Sequence, residues 1–371
     1  MKKKELDALQ MFLLLLHFEF GTALVVNPAK NAGRDSWIAM IIGAAGGMIL
    51  VLCYSGLHRR FPDLNLTGYS KQLLGKILGT VVGVLYLLFF LYDTTRDLRD
   101  GISLIQIRAL NTTPILVIGL LLIGVAVYVL YLGIHVLGRI AILYGILSMF
   151  LMLTMLLLLS FSGVIDLHNL LPVASQGWKP ILGIGGTSAL MFPYGELVSF
   201  AMVLPAMSKK YNSIAVCLTA VFFGGTMLTE VTVLMVASLG NELFVQTTHP
   251  FLTMINRIEV SDFIDRVDVL GVMAVIIGIF FKVTVLFYAA LRVAEGLFSV
   301  PYRKLLLPFG IIILLSSLLI APNLEEHLQE SDFILVHVYP LFVIVIPFLL
   351  LAVAWMQGGR RKRSPEPDDQ G

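Results

Sequence analysis

Four ionisable side chains stand inside long apolar runs of this chain: Glu19, Glu196, Glu230 and Lys282, with His17 beside Glu19. Charge in such a position can exchange a proton, hold a small cation, or pair with the opposite charge of a zwitterionic ligand. Three acids against one base leave a formal excess of negative charge, so protonation or a bound cation has to balance the set. Other chemistries find no support. There is no P-loop, no HExxH, no Cys/His metal spacing and no G-x-S-x-G. The expectation is a non-enzyme with no cofactor, no metal site and no nucleic-acid partner.

The most marked of these positions lies in GIGGTSALMFPYGELVSFAMVLP, residues 183–205. Pro193 has no N–H to donate, Gly195 loosens the backbone beside it, and Glu196 follows at once. A spanning helix interrupted there leaves N–H and C=O groups that lipid cannot satisfy, so the break belongs beside a cavity enclosed by protein. Half-helix ends at that depth suit the carboxylate and ammonium of a small zwitterion, or a cation. The first apolar run, LLLLHFEFGTALVVNP, is interrupted by Glu19, Gly21 and Thr22, with Pro28 near its end. Phe18-Glu19-Phe20-Gly21 and Phe192-Pro193-Tyr194-Gly195 share the form Phe-x-aromatic-Gly.

The elements that must position these groups are membrane spans. The 371 residues are 58% hydrophobic and 13% charged, and the mean hydropathy is +0.90, far beyond the needs of a soluble core. Ten runs are long enough to cross a bilayer: 9–29, 36–57, 76–98, 114–132, 139–162, 181–205, 213–239, 267–295, 304–321 and 333–356. The fold class is all-α and polytopic. Interruptions in the first and sixth of ten spans predict a 5+5 inverted repeat, 9–162 and 181–356, in one transmembrane domain over 1–371. Residues 357–371 read as a disordered cytoplasmic tail, basic next to the membrane (Arg360, Arg361, Lys362, Arg363) and suited to anionic lipid. Lysine and arginine cluster at Lys2–Lys4, Arg59–Arg60, Lys209–Lys210, Arg303–Lys304 and the tail, which places both termini in the cytoplasm.

Span 3 ends in Tyr92-Asp93-Thr94-Thr95-Arg96-Asp97-Leu98-Arg99-Asp100. Charges at these spacings pair on neighbouring turns, and the stretch reads chiefly as a solvated outer helix end. The functional alternative is an outer gate, with Tyr92 turned inward. Span 7 is expected to bury Glu230. The linker 58–75 reads as a surface turn or a short amphipathic helix, the link 163–180 as a short interfacial helix with Trp178 as anchor, and the loop 240–266 as one helix that caps the outer entrance or touches another subunit, or else as a plain solvated loop. If spans 1, 6 and 8 meet, Lys282 reaches the interrupted part of span 1 and sets an ammonium where a coupling sodium would otherwise sit.

Phe192-Pro193-Tyr194-Gly195-Glu196, the Gly21-Thr22 break and the run Gly278-Ile279-Phe280-Phe281-Lys282, with the length and span layout, resemble the spore germination permease family. These are the B subunits of spore germinant receptors (GerAB-like). The resemblance implies the amino acid–polyamine–organocation superfamily, a LeuT-type fold with helices 1 and 6 broken, and residence in the spore inner membrane. It implies a small germinant such as an amino acid, and assembly with A and C subunits. On that resemblance Gly21 and Thr22, with Tyr194 and the backbone around Gly195, hold the ligand. Tyr92 and Phe192 gate the pocket, and Glu196 and Lys282 tune its charge. Glu19 and Glu230 join Glu196 and Lys282 as charge or coupling residues. A proton-coupled amino-acid transporter needs the same pocket and is the competing expectation, with Glu196 or Glu230 as proton carrier. A water or ion conduit is a third.

Overall fold

Asp7 opens the first span with a capping box. Its carboxylate accepts from Gln10 N at 2.8 Å, and Gln10 Oε1 accepts from Asp7 N at 3.1 Å. The computed structural model describes residues 5–258, 267–320 and 333–361. Ten helices in it are long and apolar enough to cross a membrane. In chain order, spans 1 to 10 are Ala8–Val26, Lys30–Arg60, Lys76–Arg108, Ile115–Leu132, Ile134–Phe161, Trp178–Met202, Ser213–Gln246, Val269–Phe298, Tyr302–Leu319 and Phe333–Gln357. Leu6 N donates to Ala206 O at 2.8 Å and Ser208 N donates to Leu6 O at 2.9 Å, so the starts of spans 1 and 7 share one face. That face is called proximal here, and the opposite one, which carries Asn27 and Asn241, distal.

Two spans leave helical geometry in their middle. Gly21 in span 1 has φ −23° and ψ −118°. Span 6 is helical over Trp178–Gly186, turns non-helical at Phe192 (φ −129°, ψ 121°), and continues as a 3-10 stretch over Gly195–Met202. Span 10 carries a π turn over Leu341–Val345, whose carbonyls are engaged from outside the helix. Tyr86 donates to Phe342 O and Tyr54 to Val343 O, each at 2.6 Å.

Glycines let these irregular pieces pack backbone to backbone. A Cβ on Gly43 would lie 2.7 Å from Ala189 O, and one on Gly47 2.6 Å from Tyr194 Cβ, so span 2 receives span 6 along a small-residue face. Large apolar residues suited to lipid are exposed on the outside of the spans, including Leu120, Phe150, Phe161 and Leu319. Short helices complete the faces: Leu66–Leu74 on the proximal side, and Leu167–Leu170 and Pro250–Ile255 on the distal side. Trp178 begins span 6 and is exposed.

Two sequence expectations are corrected. Span 3 does not end at 98 in a solvated stretch; it runs to Arg108, and Asp93 and Asp97 are 1% and 5% exposed. Residues 93, 97 and 101 recur every four on one helix face, and a Cβ on Gly101 would lie 2.9 Å from Ile279 of span 8. Glu230 is not buried but exposed. Gly224, Gly225, Leu228, Val231, Thr232 and Met235 fill the inward face of span 7, which turns positions 226 and 230 outward. Of the charges that orient the chain, Lys2–Lys4, Lys362 and Arg363 lie outside the described residues.

Candidate functional site

Five spans converge on the Lys282 ammonium. Span 8 brings it in from the run Phe280-Phe281-Lys282, where the lysine is 0% exposed. An unpaired ammonium at such depth costs about 3 kcal/mol or more, so partners are required. Glu196 of span 6 supplies the nearest, with Oε2 at 2.6 Å from Nζ, and Asp97 of span 3 the next, with Oδ1 at 3.4 Å. Thr22 of span 1 accepts a hydrogen bond from Nζ at 3.0 Å and donates its own hydroxyl to Asp97 Oδ1 at 2.9 Å. The Phe192 ring lies 3.9 Å from Nζ, a cation–π contact made by the residue at which span 6 leaves helical geometry.

Span 10 adds the remaining link. Tyr339 Oη stands 2.5 Å from Asp93 Oδ1 and 3.1 Å from Glu196 Oε1. One hydroxyl carries one proton and cannot donate to both carboxylates. A proton on either carboxyl satisfies both contacts. The ring of Tyr339 is set by an edge-on contact with Phe89 at 5.1 Å. The centre therefore gathers Asp93, Asp97 and Glu196 about one lysine, and no hydrogen-bond donor among the described residues reaches Asp93 Oδ2 or Asp97 Oδ2.

Backbone contact brings spans 1 and 8 this close. A Cβ on Gly278 would lie 2.9 Å from Gly21 Cα, and one on Gly21 2.9 Å from Lys282 Cδ. Any side chain at either position pushes the spans apart or displaces the lysine. On the distal side a cavity of about 20 Å³, bounded by Thr22, Asp100, Ser103, Thr248, His249 and Ile279, has room for one water molecule. His249 stands outside the spans. Burial holds its imidazole below the usual histidine range, and Arg108 and Lys30 push the same way against Asp100.

The expected site residues divide into groups. Gly21, Thr22, Phe192, Glu196 and Lys282 come together. Gly195 lies behind them, its Cα toward Val343 of span 10. Tyr92 is half-buried on span 3, with the Arg96 guanidinium 5.9 Å from its ring. Tyr194 points away, toward span 7, where its hydroxyl would lie 3.2 Å from a Cβ on Gly225. Glu19 is 0% exposed but belongs to this second place: a Cβ on Gly224 would lie 1.9 Å from its Oε2, and neither Glu19 oxygen has a hydrogen-bond partner among the described residues. His17 faces yet another way, its Nδ1 2.7 Å from Leu13 O and its ring 4.5 Å from that of Phe281. Sequence reasoning missed Asp93, Asp97 and Tyr339 as members of the centre. The signal for the first two was present in their four-residue spacing; Tyr339 had none beyond an aromatic in an apolar run.

A family model described as spore germination protein matches residues 5–325. Spore germination protein KB of Bacillus subtilis (strain 168) is 34% identical over 98% of this chain and 98% of its own length. Spore germination protein YndE of the same organism is 22% identical over 95% of this chain and 97% of its own. Among solved structures, MhsT in complex with L-phenylalanine superposes with a TM-score of 0.67 at 15% identity, over 96% of this chain and 93% of that one. Mhp1, a nucleobase-cation-symport-1 family transporter with bromovinylhydantoin bound, gives 0.66 at 12% identity, over 89% and 75%. At such identities these two likenesses speak to fold alone, and that fold is of the LeuT type. Matched along most of its length by the family model and nearly end to end by a relative at 34% identity, the chain belongs to the spore germination protein family.

Proposed function

We propose that this protein is the B-type subunit of a spore germinant receptor, which binds a small germinant, an amino acid, at the Lys282 centre and signals its occupancy to A and C subunits. The observation that carries the reading is a buried ammonium held by Thr22, Asp97 and Glu196 beside the points where spans 1 and 6 leave helical geometry. The carboxylate of a zwitterion competes with Glu196 for Lys282 and meets Thr22 and the backbone at Gly21. Its ammonium finds Asp93 Oδ2 and Asp97 Oδ2, buried acceptors without a donor. Phe192 swings off Lys282 as the ligand enters, and Tyr92 guards the distal approach. Binding then shifts the balance between two conformations, because the ion cluster that closes the empty pocket is replaced by ligand contacts. The spans form two inverted repeats, 9–162 and 181–356, with both termini in the cytoplasm and the protein in the spore inner membrane.

A second reading is favoured by the excess of acid around one lysine: a proton-coupled amino-acid transporter, with Glu196 as the carrier. Reconstituted proteoliposomes separate the two. The test is uptake of labelled amino acids under an imposed pH gradient, with equilibrium binding measured on the same preparation. Saturable binding without uptake supports the receptor subunit. Concentrative uptake abolished by Glu196→Gln makes the protein a working transporter. Absence of both binding and uptake across the panel overturns the amino-acid reading.

A further inference from the structure

On the distal side three segments close around a cavity of about 500 Å³, and none of its lining residues belongs to the Lys282 centre. The segments are the Lys30–Asp35 turn at the start of span 2, the link into span 6 with its first turn, and the end of span 7 from Asn241 to Gln246. The volume is that of a small-molecule site. Hydrogen bonds tie the segments to one another. Arg34 N donates to Asn241 Oδ1 at 2.8 Å, Ala174 N donates to Asp35 Oδ1 at 3.0 Å, and Arg34 Nη1 donates to Leu171 O. Gly33 forms the corner at φ 60°, so close to span 7 that a Cβ there would lie 2.5 Å from Asn241 Oδ1. The walls are therefore held in place before any ligand arrives.

Arg34, Asp35 and Glu242 carry the charges of this cavity. Asp35 is 5% exposed, and its Oδ2 takes no donor among the described residues. A carboxylate oxygen withdrawn from water without a donor is costly, and a ligand that donates to it removes the cost. Arg34 commits its main-chain N and Nη1, which leaves Nε and Nη2 without an acceptor among the described residues. Glu242 is exposed, and no described residue bonds or pairs with it. The neighbouring bases Lys30 and Lys179 do not line the cavity, and Lys30 Nζ donates to Thr247 O at 3.3 Å. One guanidinium and two carboxylates, with no ion pair among them, call for one anionic and two cationic groups. Arg34 and Asp35 are adjacent in the turn, as carboxylate and ammonium are adjacent on an α-carbon. Glu242 stands on another wall, where a second ammonium at the end of a side chain would reach it. A guanidinium offers a carboxylate two parallel N–H bonds, and the amides of Gln176 and Gln246 both donate and accept.

We propose that this distal cavity is a second ligand site, which takes a basic amino acid: its carboxylate on Arg34, its α-ammonium on Asp35 Oδ2 and its side-chain ammonium on Glu242. The inference stands apart from the reading of the Lys282 centre. The test is equilibrium binding of labelled L-lysine to the full chain in lipid nanodiscs. Norleucine, which lacks the side-chain ammonium, and cadaverine, which lacks the carboxylate, serve as competitors. Saturable lysine binding is expected, with both competitors about tenfold weaker or more. Glu242→Gln removes no described bond and should weaken lysine about tenfold while leaving norleucine unchanged. Asp35→Asn keeps the Oδ1 acceptor for Ala174 N and should weaken both amino acids. L-lysine should also slow maleimide labelling of a Gln176→Cys variant, in which the native Cys53 and Cys217 are buried. No saturable lysine binding, or norleucine as tight as lysine, overturns the proposal. Lysine binding that is unchanged in Glu242→Gln and gives no protection of the Gln176→Cys variant lies elsewhere, and overturns it too.

Discussion

Lys282 Nζ and Glu196 Oε2 face each other across 2.6 Å, one on a regular helix and the other on the 3-10 stretch of a span that has just left helical geometry. Neither group meets solvent. Two charges taken from water repay that loss only when the surrounding donors and acceptors are nearly complete. Here they are close to complete on the lysine and incomplete on the acids, an imbalance that makes the centre able to respond to something new.

Removing the lysine should be severe. Lys282→Met leaves Asp97 and Glu196 facing one another in a dry site, and the expected loss is about 3–5 kcal/mol. Replacing the pair together, as Lys282→Met with Glu196→Leu, should recover much of that loss while abolishing ligand binding. Chemical denaturation in detergent micelles measures the first effect and calorimetry the second. If the single variant is as stable as the native chain, the ion cluster does not hold the spans together.

Tyr339→Phe tests the proton shared between Asp93 and Glu196. The buried contact is lost without a change in packing, at a cost of about 1–3 kcal/mol. Ligand affinity should also become more sensitive to pH, because nothing then ties the proton to the pair. A titration of binding against pH, run for both proteins, decides it; parallel profiles would remove Tyr339 from the centre.

The second buried acid gives a steric prediction. Gly224→Ala sets a methyl carbon 1.9 Å from the present place of Glu19 Oε2, so span 7 or Glu19 must move. Overpacking of this kind destabilises by about 1–3 kcal/mol. In a Glu19→Ala background the same substitution should cost almost nothing, giving a coupling energy of about 0.5–3 kcal/mol in a double-mutant cycle. Additive effects would mean that the two residues do not meet.

His249 makes the distal entrance sensitive to acid. Burial, with Arg108 and Lys30, lowers its folded-state pKa, so the unfolded chain binds the proton more tightly. The stabilising contribution is present above the ordinary histidine pKa of about 6.5 and is lost as pH falls through that value toward the lower folded one. Melting temperature should therefore drop as pH falls below about 6.5, and less so in His249→Gln. The comparison is a pair of melting curves across that fall in pH, and equal slopes would dismiss the histidine.

Span number and the convergence of Gly21 and Thr22 with Glu196 and Lys282 were legible because hydropathy and misplaced polar residues mark them directly, whereas the helix at Leu66–Leu74 was one of two readings of its linker. Asp93 and Asp97 were not, because the charge-rich stretch 92–100 looks like the end of a helix that in fact continues through Ile102, Leu104 and Ile105. Glu230 misled for the opposite reason. An apolar run states depth and leaves open which side of the helix faces the bundle, and that side is fixed by glycines whose role emerges only when their neighbours are known. Tyr194 and Glu19 share the difficulty: both sit at an interruption, yet they turn toward span 7 rather than toward Lys282.

The paired strand-like contact of Leu6 with Ala206 and Ser208 stitches the entry to span 1 to the exit from span 6. The two interrupted spans are thereby yoked at one end, so a displacement of either is transmitted to the other through main-chain bonds rather than through ligand. A reporter dye placed at Glu5 would then follow the motion of span 6 without touching it, and a bulky fusion at the amino terminus would act as a brake on both.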